Sequence, residues 1–446
     1  MRVDKLADDQ EAALADQVLD NPIHFVRAVT DLSEESTVFA KEDIFASCNI
    51  KLVSRGTRLS GEFYERLVAH KLLKPIEKSI AVESAPNLEE LVSLAHAEAQ
   101  QIPSLKPLLG PAQVERIAGL LAGIRIPEEI STQLAVMRSE RPRLWRHSLL
   151  AGVIAMVLGI RAELPKEELH ALAIGSLLHD IGELYIDPKM LASAHRLNAD
   201  ERRYLYAHPI IGFLLLRVFP ELPKGAAEAI LQSHELLDGT GYPSRLSGNE
   251  ISRVARFVTA AGVTASLIEK EGATRRIGIK LRMNMKKFDP QAIAIICGML
   301  DPTPHEAMSA MDRQDMIIRL GMLGSLFKTW DSLRDQCASS NTPCMEQVVE
   351  QVDSLRMMVL EPGYDLYALE RILEIADDQD AEVITELSVL LEEITWHFGT
   401  LLRTIENQQL KSTTPIVGGM REKLEEWVSQ VTEFISQGSL LGQTHA

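Results

Sequence analysis

The chain has 446 residues, long enough for two or three domains with ample core. Its hydrophobic content of 46% suits a globular protein, and an aromatic content of only 5% favours helices over a β-sandwich. A net charge of −17 argues against a broad nucleic-acid or anionic-membrane surface, so a small anion would need a local basic or metal-lined pocket.

The four cysteines, Cys48, Cys297, Cys337 and Cys344, show neither metal-ligand spacing nor a disulfide framework, as expected in a reducing cytoplasm. The opening Met1-Arg2-Val3-Asp4-Lys5 leads into an acidic segment, so no signal peptide is expected. The apolar run from Leu149 to Ile160 ends at Arg161 and is too short to span a bilayer. A cytoplasmic protein without a membrane span is the expectation.

Residues 4 to 20 predict an acidic helix stopped by Asn21-Pro22. Val38-Phe39-Ala40 and Ile50 to Val53 alternate like short strands, with Arg55-Gly56-Thr57 as a turn. A helix follows through Phe63, Leu67, Leu72 and Leu73 and ends at Pro75. Residues 1–95 thus form a small α+β region, either regulatory or a structural clasp. Residues 86 to 140 carry two or three amphipathic helices, with a clear start at Ile126-Pro127-Glu128-Glu129.

Four helices then each offer a histidine at an apolar end. His147 lies on a helix carrying Leu149, Leu150, Val153 and Ile154, and His179-Asp180 follows the run to Leu178 at what reads as its wet end. His208 precedes Pro209 at the start of a third helix, and His234-Glu235 ends a fourth, followed by Asp238-Gly239-Thr240-Gly241-Tyr242-Pro243. Taken alone, each histidine is more often a surface or core residue than a ligand. Together they suggest inward-facing metal ligands in a bundle. His170 and His195 fit no ligand register and read as solvent-facing. Ile251 to Ile268 predicts a helix buried on one face, and the segment Glu269 to Arg276 after it is a charge cluster. Beyond about residue 301 the chain is helical. Ile384, Leu387, Leu391, Ile394, Phe398, Leu401 and Ile405 form a heptad seam, repeated at Leu424, Trp427, Val431 and Phe434 after a polar break with Pro415 and Gly418-Gly419. The two seams could close as an antiparallel hairpin within the chain, the blander choice, or across a homodimer.

The order His147, His179-Asp180, His208, His234-Glu235 and Asp238-Gly239-Thr240-Gly241-Tyr242-Pro243 resembles the HD-GYP domain, an all-α branch of the HD phosphohydrolases, over about residues 130 to 300. The resemblance implies a mainly α protein. Its HD-type helical bundle (96–300) would follow the α+β N-terminal region (1–95) and precede a helical C-terminal extension (301–446). It also implies a metal-dependent cyclic di-GMP phosphodiesterase lineage with iron or manganese bound by His147, His179, Asp180, His208 and His234. In that picture Asp180 bridges a metal on His147 and His179 to a second on His208 and His234. Asp180 and Glu183 would stand at the reacting centre, with Asp238, Gly239, Gly241, Tyr242, Pro243, Arg275 and Arg276 on the substrate side.

The departures from the family pattern fall on the same centre. Glu183 stands where the family has a phosphate-facing lysine, Ser233 where it has a first histidine, Gly262 where it has an aspartate, and Arg143 where three-metal members have a glutamate. The expectation is therefore one ion or substoichiometric metal, and weak or absent turnover. The domain would act as a binding or regulatory module that takes cyclic di-GMP or a related nucleotide, with protein partners on the terminal regions. The alternatives are an active cyclic di-GMP phosphodiesterase or another HD-type phosphohydrolase.

Overall fold

The computed structural model describes all residues except 1–8, 104, 192–194, 196, 273–274, 301–309, 339–342, 361–363, 376–380, 410–417 and 442–446. The fold is mainly α and divides into two compact units, residues 1–277 with 285–301, and residues 278–284 with 302–446.

The first unit opens with α1 (Asp9–Asp20) and α2 (Ile23–Glu35), followed by four short strands, β1 (Val38–Ala40), β2 (Ile44–Phe45), β3 (Lys51–Val53) and β4 (Ile80–Val82). β1 pairs antiparallel with β4, and β2 with β3, giving two separate ribbons. β1 and β3 fall in the two stretches whose alternation reads as strand, whereas β2 and β4 lie outside them. Gly56 turns with φ +77°, a conformation that glycine adopts without strain. The helix expected from Phe63 to Leu73 shortens to α3 (Tyr64–Val68).

Next come α4 (Leu88–Gln100), α5 (Pro111–Leu121), α6 (Glu128–Glu140), α7 (Pro142–Arg161), α8 (Lys166–Leu178), α9 (Ala199–Tyr206), α10 (His208–Leu216), α11 (Ala226–Leu231), α12 (Arg253–Glu271), α13 (Arg275–Met283) and α14 (Pro290–Met299). Their boundaries follow local chemistry. Asn87, Ser252 and Asp289 cap α4, α12 and α14 by accepting amide hydrogens, and Asn198 with Glu201 makes a capping box on α9. Prolines open α5, α7 and α10, where the missing amide hydrogen costs nothing.

One apolar core joins Phe25, Val29 and Leu32 of α2 and the strand residues Val38, Ile44 and Ile80 to Leu134, Leu149, Ile174, Leu178 and Ile211 of the bundle. The elements from α1 to β4 are thus built into the bundle's own core. By length and composition α7 could cross a membrane, yet 78% of its apolar window is buried here. His170, expected to face solvent, is instead half-buried and donates from Nε2 to the Leu120 carbonyl at 2.7 Å, because α5 packs against α8 there. His195 is exposed and pairs with Glu201 at 3.1 Å.

The second unit holds most of α13, from Gly278 on, with α15 (Ala310–Ala338), α16 (Pro343–Leu360), α17 (Leu369–Ile375), α18 (Ala381–Gln409) and α19 (Gly418–Leu441). The seam residues Leu387, Leu391, Ile394, Phe398 and Leu401 of α18 are buried, as are Leu424, Trp427, Val431 and Phe434 of α19. Phe398 meets Trp427 and Phe434 edge-on with centroids 6.0 Å apart, so the two seams close on each other within the chain. Pro415 lies outside the described residues.

Candidate metal centre

Each histidine reaches the centre from a different element. His147 is on the second turn of α7, His179 caps the C-terminus of α8, His208 opens α10, and His234 follows α11. Their Nε2 atoms converge on Asp180. His179 Nε2 lies 3.1 Å and His147 Nε2 3.7 Å from Asp180 Oδ2, while His208 Nε2 and His234 Nε2 lie 3.3 and 3.0 Å from Oδ1. The carboxylate therefore serves two three-ligand groups, His147–His179–Asp180 and Asp180–His208–His234, either of which can hold a metal ion.

The His179-Asp180 doublet was expected at the wet end of its helix, but the structure buries both residues, with exposures of 2% and 7%. A 3-10 turn, Ile181–Tyr185, folds back over them and packs on the start of α10. Gly182 makes this approach possible, since a Cβ there would lie 2.1 Å from the His208 carbonyl oxygen.

Hydrogen bonding fixes the tautomers. His179 Nδ1 donates to the Ser176 carbonyl at 2.8 Å, His208 Nδ1 to the Leu205 carbonyl at 2.7 Å, and His147 Nδ1 to Glu269 Oε2 at 3.1 Å. These acceptors have no hydrogen to give, so Nδ1 carries the proton and the Nε2 lone pair points inward. His147 and His179 then face each other with Nε2 atoms 3.2 Å apart, and His208 and His234 at 2.9 Å. Opposed lone pairs around a carboxylate are stable only with a positive charge among them, which a divalent ion supplies. The donor set of imidazole nitrogens and carboxylate oxygen fits zinc, iron or manganese.

Protons compete for the same nitrogen atoms. Burial opposes the imidazolium of His179 and His208, but the facing Asp180 outweighs it and raises both above the usual histidine value. Burial likewise opposes ionisation of Asp180, yet the surrounding histidines hold its carboxyl well below the usual range. His234 goes the other way, pushed down to about 4 by burial and by its cationic neighbours despite its bond to Asp180. Burial and the Asp180 charge raise Glu183 to about 7.

Glu183 lies with Asp180, His147, Arg141, Arg143 and Glu269 along an open cleft of about 560 Å³. Glu235, next to the ligand His234, is committed elsewhere. Its Oε1 accepts the Ser244 amide at 2.6 Å and its Oε2 the Leu246 amide at 2.9 Å, holding the loop after it. In that loop Tyr242 stacks on His234 with centroids 4.8 Å apart, and on Tyr206 at 4.0 Å. Gly241 is required there because a Cβ would lie 2.4 Å from the Leu236 nitrogen. Asp238 is exposed and accepts the Thr240 amide and hydroxyl, beside Gly239 with φ +78°. Pro243 is buried, Arg276 is half-buried, and the Arg275 side chain lies outside the described set.

At the departures, the Ser233 hydroxyl donates to the Ile230 carbonyl at 2.8 Å. Gly262 faces the centre directly, with an ideal Cβ 3.2 Å from His179 Nε2. Two contacts went unread in the sequence, Tyr206 under Tyr242 and Glu269 behind His147. The second had a signal, since position 269 lies seven residues after 262, two turns along the same helix face.

Comparison with known proteins agrees with this constellation. The HD domain family matches residues 129–291. A cyclic di-GMP phosphodiesterase response regulator of Xanthomonas campestris pv. campestris is 36% identical over 127 residues, covering 28% of this chain and 32% of its own. A 3'3'-cGAMP-specific phosphodiesterase of Vibrio cholerae is 26% identical over 246 residues, covering 55% and 52%. A cyclic di-GMP phosphodiesterase of Pseudomonas aeruginosa is 25% identical over 211 residues, covering 46% and 51%. The chain thus spans between a third and a half of the length of these relatives. Residues 129–291 are thus an HD domain, and with four histidines on one shared aspartate and a Gly-Tyr-Pro loop packed against them this domain follows the HD-GYP pattern that the sequence resembles.

Proposed function

We propose that residues 129–291 hold one or two divalent ions, iron or manganese, on His147, His179, Asp180, His208 and His234. At the adjacent cleft they would take a cyclic dinucleotide, cyclic di-GMP or cGAMP, with hydrolysis slow or absent. The observation that carries this reading is the convergence of four Nε2 atoms on the two oxygens of Asp180. The relatives named above act on these dinucleotides, which supports the ligand class.

The ions, when bound, supply Lewis acidity that activates water beside the phosphodiester and draws charge from its oxygens. This chain's residues hold the ligands in one tautomer and bury Asp180 against solvent. What they fail to supply is positive charge and full coordination. Gly262 offers no donor toward His179, and Glu183 sets a carboxyl beside Asp180 where the family pattern has an ammonium. Losing one electrostatic stabiliser of a phosphoryl transition state costs on the order of a hundredfold in turnover or more. The protein would then serve as a nucleotide-responsive module in the cytoplasm, consistent with Cys48, Cys297 and Cys337 forming no disulfide among the described residues.

A second reading, an active phosphodiesterase, is favoured by the intact sharing of Asp180 between two three-ligand groups. The deciding experiment loads the protein anaerobically with iron or manganese and measures binding and turnover of cyclic di-GMP and cGAMP beside Asp180→Ala. Binding without turnover supports the module, whereas turnover abolished by Asp180→Ala establishes the enzyme.

A further inference from the structure

The helix α12 passes along the His147–His179 half of the centre and touches it twice. At Gly262 it comes within 3.2 Å of His179 Nε2, counted from an ideal Cβ, and delivers nothing. Two turns later it delivers Glu269, whose Oε2 lies 3.1 Å from His147 Nδ1. Ser266 lies between them on the same face and lines the same cleft.

His147 needs such a partner for a reason set by its place in the fold. His179 and His208 sit at helix ends and donate from Nδ1 to main-chain carbonyls three residues earlier. His147 lies inside the long helix α7, where the carbonyls are taken up by the helix's own ladder. No backbone acceptor is provided for its Nδ1, and a side chain from another helix supplies it. An imidazole without that acceptor is free to place its proton on Nε2, which removes the lone pair facing Asp180.

We propose that Glu269 is the positioning residue of His147. It holds the proton on Nδ1 and aims Nε2 at the His179–Asp180 group through a charged hydrogen bond. In this way α12 returns, from behind a ligand, part of the negative charge that it lacks in front of His179 at Gly262. The Glu269 side chain is only 25% exposed, so the bond is partly shielded from water and from salt. The inference rests on the reading that His147, His179 and Asp180 bind a divalent ion.

Two measurements on the full chain separate the inference from that reading. The first is the tautomer of His147 in metal-free protein, from nitrogen-15 shifts of labelled histidine assigned with His147→Gln. Wild type should carry the proton on Nδ1. Glu269→Ala should move it in part or wholly to Nε2, and Glu269→Gln, which keeps an acceptor oxygen, should restore Nδ1. The second is titration of metal-free protein with cobalt(II), read by its visible absorption. Glu269→Ala should weaken the His147-dependent site by roughly 10- to 100-fold, with Glu269→Gln between it and wild type. The site that survives His147→Gln should be unchanged by either variant. An unchanged tautomer and an unchanged affinity in Glu269→Ala overturn the inference. Should wild type bind no cobalt at all, the metal reading fails, and the tautomer measurement still decides whether Glu269 positions His147.

Discussion

Glu183 offers the sharpest test of how charge is arranged at the centre. Its carboxyl stands beside Asp180 at the buried end of the cleft, and burial with the Asp180 charge raises it from 4.5 to about 7. An acid raised on folding costs stability when ionised. The penalty is absent below about pH 4.5, grows as pH rises toward 7, and is complete above it. The size of the shift converts to about 3 kcal/mol at 1.36 kcal/mol per unit, and partial solvent access at Glu183 trims this toward about 2. Glu183→Gln, near in shape and unable to ionise, removes the penalty. In metal-free protein its apparent Tm should match wild type near pH 4.5 and exceed it by roughly 4–8 °C at pH 8. Saturating divalent metal should shrink the difference, because a cation beside Glu183 stabilises its ionised form. Thermal unfolding of both proteins across pH 4.5 to 8, with and without metal, measures this. A Tm difference that is the same at both ends of the range would refute the claim that Glu183 is held raised by Asp180.

Other perturbations probe different parts of the fold. Asp180→Ala removes the ligand common to both groups and should abolish metal at both, read by elemental analysis. Metal affinity should fall as pH drops through the raised values of His179 and His208, because protons then compete for the Nε2 atoms. The loss should begin above the ordinary histidine value of 6.5, and titrations at pH 6, 7 and 8 check it. Gly262→Asp, alone or with Ser233→His, should increase bound metal per chain, since position 262 already faces His179 Nε2. Trp427→Ala empties a fully buried site and breaks the bond from Nε1 to the Leu326 carbonyl, so it should destabilise the second unit by about 3–5 kcal/mol while leaving metal content unchanged.

The sequence showed the ligands more clearly than their surroundings. His147, His179, Asp180, His208 and His234 could be found because each ends or interrupts an apolar helix pattern, a local feature. What orients them is not local. The carbonyls of Ser176 and Leu205 carry no side-chain signature, and Glu269 lies 122 residues from His147 in a segment that reads as a solvated charge cluster. Burial of the His179-Asp180 doublet escaped notice for the same reason. It depends on a 3-10 turn docking through Gly182 onto α10, a long-range contact that no periodicity encodes. Long helices such as α18 and α19 were legible from their heptad steps, whereas β2, two residues long, left no pattern and β4 went unread.

The departures from the family pattern acquire a common physical sense once they are placed in space. Around His147 and His179 the chain omits a carboxylate at Gly262, adds one at Glu183, places another behind a ligand at Glu269, and brings Arg141 and Arg143 to the same cleft. Negative charge is thus missing at a ligand position and present at positions one residue removed from it, while positive charge sits on the cleft wall. On the proposed reading, such a centre would bind a cation less tightly and present guanidinium groups to an anionic ligand. That combination would suit recognition of a dinucleotide phosphate better than its hydrolysis. Hydrolysis depends on charge held against the reacting oxygens, whereas binding requires only that complementary charge lie within reach of the ligand.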